Sequence, residues 1–196
     1  KTSIPLRWNV WAAEKPCSYK SERKTDKHME YYHTGKFTTQ EIVFTALMTA
    51  LVFVATYLPH IPIPLGYAHL GDAVIFLLAL LAPRRAALFA ACIGSALADL
   101  LALWIVPTLV IKFVMAEIIY RMARSGSQIG GRTRVAIALL LSSIWMAAAY
   151  TLAGAVLYAS LPAALASSPG LLMEGLVNSI LALLLLPMLR ERFPKF

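Results

Sequence analysis

Residues 69–119 decide the fold: HLGDAVIFLLALLAPRRAALFAACIGSALADLLALWIVPTLVIKFVMAEII. Only Pro83-Arg84-Arg85 and the short segment at residues 104–107 interrupt the apolar runs of this stretch. Apolar runs that approach or exceed about 18 residues are long enough to cross a bilayer as helices. Similar runs lie on both sides of the stretch, from residue 42 to residue 189. The sequence therefore predicts an all-α, polytopic membrane protein.

We expect six transmembrane helices. Thr38 and Glu41 have the spacing of a capping box, which predicts the start of the first helix. The expected spans are about 38–58, 70–82, 86–103, 107–123, 134–159 and 171–189. The second span reaches only about 20 Å, which is short of a hydrocarbon core of roughly 30 Å. This helix is either buried among its neighbours or extended by irregular backbone at residues 66–70, which would line a cavity or pack against protein.

The basic residues predict the orientation. The chain is 59% hydrophobic and 14% charged, with a formal charge of +8. Eight of its eighteen Lys and Arg precede residue 40, and nearly all the others lie in loops 2–3 and 4–5 and in the C-terminal tail. Because loops 1–2, 3–4 and 5–6 contain none, the positive-inside rule puts both termini in the cytoplasm. The charge is thus a topology signal, and no nucleic-acid partner is expected.

The first 28 residues differ from the rest. They are polar, of mixed charge and without an apolar segment, so they are not a signal peptide. The chain does not begin with Met, whereas Met29 stands shortly before the first span. We expect residues 1–28 to be a non-native leader and residues 29–196 to form the six-helix membrane domain. A disordered cytoplasmic tail is the alternative, and the mass of the natively expressed protein distinguishes the two.

Polar side chains gather toward the outer ends of the spans. Ionisable residues inside spans are costly, and by default they indicate function. The polar residues toward the outer side are His60, Tyr67, His69, Asp72, Asp99, Lys112, Glu174 and Asn178, with Glu117 nearer mid-membrane. They predict one basin that faces outward. Its four acids face a single base, which favours a ligand that is cationic or rich in hydrogen-bond donors.

Several of these residues also have a structural interpretation. Asp72 can cap helix 2, where the helix dipole favours an acid. Asp99 and Lys112 flank loop 3–4 and can form a structural ion pair. His69 can be a loop histidine at headgroup level, and with Asp72 it is expected to shape the outer lid. Glu117 has no evident basic partner at its depth except Lys112, which favours a binding role.

Aromatic and small residues add two further expectations. Trp145 is the large aromatic side chain at pocket depth, Tyr150 is a weaker stacking candidate, and Trp104 suits the aromatic belt at the membrane surface. Ala46 and Ala50 form a small-xxx-small pair on the first helix, a pattern that allows close helix packing.

No catalytic or cofactor motif is present in the sequence. There is no G-x-x-x-x-G-K-[ST] phosphate loop, no G-x-S-x-G elbow and no histidine spacing that suits a metal. We therefore expect a binding subunit that is driven by partners, not an enzyme, and no cofactor. The alternatives are an autonomous small-solute transporter and, with less support, an intramembrane enzyme that uses Ser95 with Asp99.

Three motifs carry a family resemblance. They are H-L-G-D-A at 69–73, G-S-A-L-A-D at 94–99 and P-T-L-x-I-K at 107–112. With them, Phe37 to Arg192 resembles the riboflavin-transporter-like group of S components, the substrate-binding subunits of energy-coupling-factor (ECF) vitamin transporters.

The resemblance implies a six-helix bundle in a prokaryotic plasma membrane that captures a vitamin or precursor from outside. It implies docking on a transmembrane scaffold subunit with two cytoplasmic ATPases, with Ala46 and Ala50 at the scaffold interface. It also implies that helices 4 to 6 hold the ligand under loop 1–2, which favours Glu117, Trp145 and Glu174. Asn178 and Lys112 complete the expected binding set. The acidic basin favours a small pyrimidine or pyridine over a carboxylated vitamin.

Overall fold

The structure, a computed structural model, describes residues 38–59, 61–63, 66–100, 104–125 and 128–192. These residues form six helices: α1 (Thr39–Tyr57), α2 (Gly71–Leu81), α3 (Arg84–Ala98), α4 (Ile105–Ala123), α5 (Arg132–Leu157) and α6 (Leu161–Arg190). They also form two antiparallel hairpins: β1 (Ile61–Ile63) with β2 (Gly66–Ala68), and β3 (Arg124–Ser125) with β4 (Gln128–Ile129). The expected all-α bundle is confirmed. The predicted leader and His60 lie outside the described residues.

The first helix begins as its sequence predicts. The Glu41 backbone N–H donates to Thr38 Oγ1 at 3.2 Å, and the Thr38 N–H donates to Glu41 Oε2 at 3.0 Å, which completes a capping box. The helix ends at Tyr57, two residues before Pro59. Helix α1 packs against α3 and α2, and most of its remaining surface is exposed.

Helix α2 is short and central. It has 11 residues, nine of them buried, and it packs against α1, α3, α4 and α6. At 1.5 Å per residue it is roughly 17 Å long, well short of the hydrocarbon core. The β1–β2 hairpin, named the outer hairpin below, precedes it and pairs Ile61 with Ala68. The short helix is thus buried among its neighbours, and the irregular backbone before it is a hairpin.

The last helix begins ten residues earlier than the sequence analysis predicts, at Leu161 instead of 171. Pro162 lies in the first turn, where a missing N–H is harmless. Pro169 cannot bond the carbonyl of Leu165, but Ser168 Oγ donates to that carbonyl at 2.8 Å. The helix therefore continues through a segment whose prolines and serines suggest a loop.

Three helices are long and apolar enough to cross a membrane, namely α1, α5 and α6, while α2 is apolar but shorter. Large apolar side chains on their outer surfaces are exposed, for example Leu47, Leu152 and Leu184. Helix α3 ends at Ala98, earlier than the expected residue 103. The bundle is thus apolar outside as well as inside, as a lipid-embedded protein requires.

Helices α1 and α3 pack closely at Gly94. A Cβ there would lie 2.8 Å from the Thr49 carbonyl oxygen and 2.8 Å from Val52 Cβ. We expect Gly94→Ala to lower the free energy of unfolding by about 1–3 kcal/mol, because the helices must separate. Gly131→Ala is the matched control, since a Cβ at Gly131 meets nothing within 4 Å. Denaturant unfolding in detergent measures both, and equal stability of the two variants would contradict the close packing.

Candidate ligand-binding site

A cavity lies between the outer hairpin and the ends of α3 to α6. It contains about 550 Å³ of atom-free space, part of which is open to solvent. The lining residues are Tyr67, His69, Asp99, Trp104, Lys112, Tyr150, Thr151, Ala164, Ser167, Leu171 and Glu174. This space is named the outer cavity below.

Asp99 joins the outer hairpin to the helices on one side of the cavity. Tyr67 Oη donates to Asp99 Oδ1 at 2.7 Å, and Thr108 Oγ1 donates to Asp99 Oδ2 at 2.5 Å. Tyr150 Oη donates in turn to Thr108 Oγ1 at 3.1 Å. Burial and the Asp99 carboxylate raise the pKa of the Tyr67 phenol above its usual range, so the phenol stays a neutral donor. One carboxylate thus connects β2, α3, α4 and, through Thr108, α5.

Lys112, in the cavity wall, forms a buried ion pair with Asp72, which lies behind it. Lys112 Nζ bonds Asp72 Oδ1, and both side chains are almost completely buried. Lys112 Nζ also lies 5.3 Å from the centre of the Tyr150 ring. Asp72 Oδ2 has no hydrogen-bond partner among the described residues. The structure therefore gives Lys112 a different partner from Asp99, and the predicted Asp99–Lys112 ion pair is wrong.

Helix α6 holds the other side of the outer hairpin. The His69 backbone N–H donates to Glu174 Oε1 at 3.1 Å, and His69 Nδ1 lies 3.2 Å from the same oxygen. Asn178 Nδ2 donates to the His69 carbonyl at 2.8 Å, while Asn178 Oδ1 accepts the Ala73 N–H at 3.2 Å. Asn178 therefore holds the junction between the hairpin and α2.

Aromatic rings form part of the cavity wall. Trp104 and Tyr150 have ring centres 5.7 Å apart, and Trp104 Nε1 donates to Tyr158 Oη at 3.1 Å. Tyr67 and His69 have ring centres 5.6 Å apart on the hairpin side. Rings on two sides of a cavity offer contact surface to a flat ligand.

The structure brings five predicted site residues to the outer cavity: Tyr67, His69, Asp99, Lys112 and Glu174. Two others, Asp72 and Asn178, are buried behind its wall. Asp72 lies in the first turn of α2 but makes no capping hydrogen bond, because its carboxylate turns to Lys112. The interpretation of Asp72 as a helix cap is therefore wrong.

Glu117 lies elsewhere. Arg84 Nε and Nη2 donate to its two oxygens at 2.9 Å and 2.5 Å, and Arg121 Nε donates to Oε1 at 2.6 Å. Arg84 begins α3 and Arg121 is in the last turn of α4, both at the predicted cytoplasmic side. The expectation that Glu117 lacks a basic partner is wrong, and its place outside the cavity lining removes the reason to assign it to the ligand.

The aromatic residues that line the cavity differ from the predicted ones. Trp145 is 37% exposed and does not belong to the cavity lining; its Nε1 donates to the Ile111 carbonyl at 3.3 Å. Trp104 and Tyr150, which the sequence analysis ranked lower, line the cavity instead. Sequence reasoning also missed Thr151 and Ser167. Their only available signal was a position near the outer end of a span.

A second concave surface runs along α1 and α3. We name it the α1–α3 groove; its lining consists of Ile42, Thr45, Ala46, Thr49, Ala50, Phe53, Phe89, Ile93 and Leu97. Ala46 and Ala50 are exposed there, one turn apart. The two alanines therefore lie on an open apolar surface and not inside the bundle.

Two comparisons with known proteins bear on this chain. A family model described as "ECF-type riboflavin transporter, S component" matches residues 36–191, a range that contains all six helices. A protein of Pyrococcus woesei, described as "Uncharacterized protein in gap 3'region", is 36% identical over 111 residues. That alignment covers 55% of this chain and 73% of the relative.

Proposed function

Because this chain belongs to the family of ECF-type riboflavin transporter S components, we propose that the outer cavity is its vitamin-binding site. S components are membrane-embedded, vitamin-binding subunits that work with an ECF scaffold and an ATPase module. This chain is accordingly a multi-pass cell-membrane protein. The proposal extends to two ATPase subunits in that module.

One observation carries the proposal: the outer hairpin is held across the cavity from two sides. Asp99 bonds Tyr67 on one side, and Glu174 bonds His69 on the other. A site that must bind from outside and then exclude water needs a cover that is attached by reversible contacts. Side-chain hydrogen bonds at both edges of a short hairpin supply such contacts.

The charges around the cavity favour a neutral ligand. Asp72 is balanced by Lys112, and Glu117 is balanced by two arginines away from the cavity. Asp99 already accepts two hydroxyl hydrogens, and Glu174 lies against His69. The count of acids alone therefore no longer argues for a cation.

We propose a small, neutral, polar heteroaromatic ligand of the pyrimidine or pyridine type. The rings of Trp104 and Tyr150 can contact its faces, while Lys112, Ser167 and Thr151 offer hydrogen bonds to its edges. Glu174 and Asp99 add acceptors for ring or amino N–H groups. A carboxylated vitamin would bring a second negative charge beside the Asp99 carboxylate, which opposes its binding.

The α1–α3 groove is the proposed contact with the scaffold. Its apolar lining and its two exposed alanines permit close approach of another helix within the bilayer. The family works with a transmembrane scaffold, which supplies such helices.

Binding calorimetry on the purified chain in detergent tests the ligand class. The panel contains riboflavin, pyridoxine and hydroxymethylpyrimidine as neutral heteroaromatics, thiamine as a cation, and biotin and pantothenate as carboxylates. We expect measurable binding of a neutral member and none of the carboxylates. Tightest binding of thiamine would contradict the neutral assignment, and tightest binding of a carboxylate would contradict the charge argument altogether.

With the bound panel member, Tyr67→Phe is expected to weaken binding by roughly ten- to hundred-fold. The variant removes one hydrogen bond to a charged acceptor, Asp99, and such bonds contribute about 1.5–3 kcal/mol. Tyr57→Phe is the matched control, since Tyr57 lies at the exposed end of α1. Equal affinity of the two variants would show that the Tyr67–Asp99 contact does not hold the cover.

A further inference from the structure

His69 and Glu174 meet through two atoms that both accept hydrogen bonds. His69 Nδ1 lies 3.2 Å from Glu174 Oε1, and it also accepts the Gly71 backbone N–H at 3.2 Å. A ring nitrogen that accepts an N–H carries a lone pair and no proton, and an ionised carboxylate offers lone pairs only. With neutral His69 and ionised Glu174, two lone pairs would face each other in a buried contact.

A single proton removes this conflict. Because Nδ1 accepts the Gly71 N–H and so carries no proton, the proton lies on Glu174, whose carboxyl O–H donates to Nδ1. The two side chains are then both electrically neutral. We infer that His69 and Glu174 form a proton-binding site, which holds one proton between Nδ1 and Oε1 while the outer hairpin lies against α6.

The surroundings favour retention of that proton. The side chains of His69 and Glu174 are only 9% and 3% exposed, so water competes poorly for it. The charged groups that face the pair are Asp72 on α2, Asp99 on α3 and Lys112 on α4; the neutral phenols of Tyr67 on β2 and Tyr150 on α5 lie nearby. Two carboxylates against one ammonium leave a net negative charge, which attracts a proton.

The site makes attachment of the hairpin dependent on pH. A solvated imidazole titrates near pH 6.5 and a solvated glutamate near pH 4.3, so the detached pair has lost the proton above about pH 6.5. Below that pH the stabilisation that the proton gives to the closed form is fully present. At higher pH, closure must take up a proton, and its equilibrium constant falls by up to about tenfold per pH unit until the closed form loses the proton as well.

The full chain in lipid nanodiscs tests this inference without any ligand, so failure here leaves the proposal for vitamin binding untouched. Nitrogen NMR of ¹⁵N-histidine-labelled protein, with His69→Gln to assign the signal, reports the protonation of Nδ1. Infrared difference spectra between wild type and Glu174→Gln report a protonated carboxyl group. At pH 7 we expect a protonated Glu174 carboxyl group beside an unprotonated His69 Nδ1. An ionised Glu174, with His69 either neutral or protonated, would overturn the inference.

Thermal unfolding between pH 5 and pH 9 gives an independent readout. In Glu174→Gln the side-chain amide donates to Nδ1 and its oxygen accepts the His69 N–H, so the contact needs no proton. We expect the melting temperature of the wild type to fall above about pH 6.5 relative to that of Glu174→Gln. Glu191→Gln, at the exposed end of α6, is the control and should follow the wild type. Parallel curves for wild type and Glu174→Gln would contradict the proton site.

Discussion

Lys112→Met is expected to lower the free energy of unfolding by about 3–5 kcal/mol. The variant leaves the Asp72 carboxylate buried without its cation, and the second oxygen of that carboxylate already has no partner among the described residues. A charge that is removed from water and left unpaired is among the largest single destabilisations known. Methionine keeps most of the length of the lysine side chain, so the cavity wall retains its packing.

Matched variants separate the effect of the unpaired charge on stability from the effect of lost packing. Asp72→Asn combined with Lys112→Met removes both charges, and it should recover much of the loss because no unpaired ion remains. Arg132→Met removes a positive charge from the exposed start of α5 and should change stability by less than about 0.5 kcal/mol. Denaturant unfolding in detergent compares the three variants. A loss below about 1 kcal/mol for Lys112→Met would contradict the buried ion pair.

Ala46→Leu combined with Ala50→Leu is expected to abolish stable association with the scaffold and ATPase module. Each leucine fills part of the α1–α3 groove, so the backbone of an approaching helix is held away and its close contacts are lost. Both alanines are exposed, so the isolated chain should remain folded and keep its affinity for the vitamin. Co-purification of the tagged chain with the module measures the effect.

Val43→Phe combined with Val54→Phe is the control for added volume on α1. Both valines are exposed, but neither belongs to the groove lining. The control pair should co-purify with the module as the wild type does. Retained association of the alanine variant, or equal loss in both pairs, would show that the groove is not the contact surface.

The outline of the fold could be predicted from the sequence because its signals are local. The capping box of Thr38 and Glu41 and the stop before Pro59 involve only neighbours in the chain, and both are present. The short second span was predicted from its length alone, and α2 is short and central. Such features depend on composition and spacing, which a single sequence contains.

The errors arose where the structure depends on a residue far away in the sequence, or where a side chain replaces a missing backbone hydrogen bond. The start of α6 was missed because Pro169 suggests a loop, whereas Ser168 bonds the carbonyl that this proline leaves. Glu117 was expected to lack a basic partner because Arg84 lies 33 positions away in the sequence and meets it only across two packed helices. Depth along a span is therefore a weak guide to the direction in which a side chain points.

The candidate site, like the fold, could be predicted from the sequence only in part. The sequence predicted that Tyr67, His69 and Glu174 share one basin, because they lie near the outer ends of spans. These three residues do line one cavity. The sequence favoured Trp145 over Trp104 from depth along the span, whereas the side chain that lines the cavity depends on the rotation of α4 and α5 about their axes. Rotation is set by packing against neighbouring helices, which a single sequence does not record.

The hydrogen bonds of Asn178 constrain how the outer hairpin can move. Its amide bonds the carbonyl of His69 and the N–H of Ala73, so α6 anchors both the residue that follows the hairpin and the first turn of α2. At the far end of α2, Arg124 Nη1 donates to the carbonyl of Ala82 at 2.6 Å. The hairpin can therefore lift away from α6 either by breaking the Asn178–His69 bond while α2 stays in place, or by breaking both Asn178 bonds and carrying α2 with it. In the second case, a displacement at the outer mouth reaches the β3–β4 hairpin of Arg124, on the predicted cytoplasmic side, along a single helix of 11 residues.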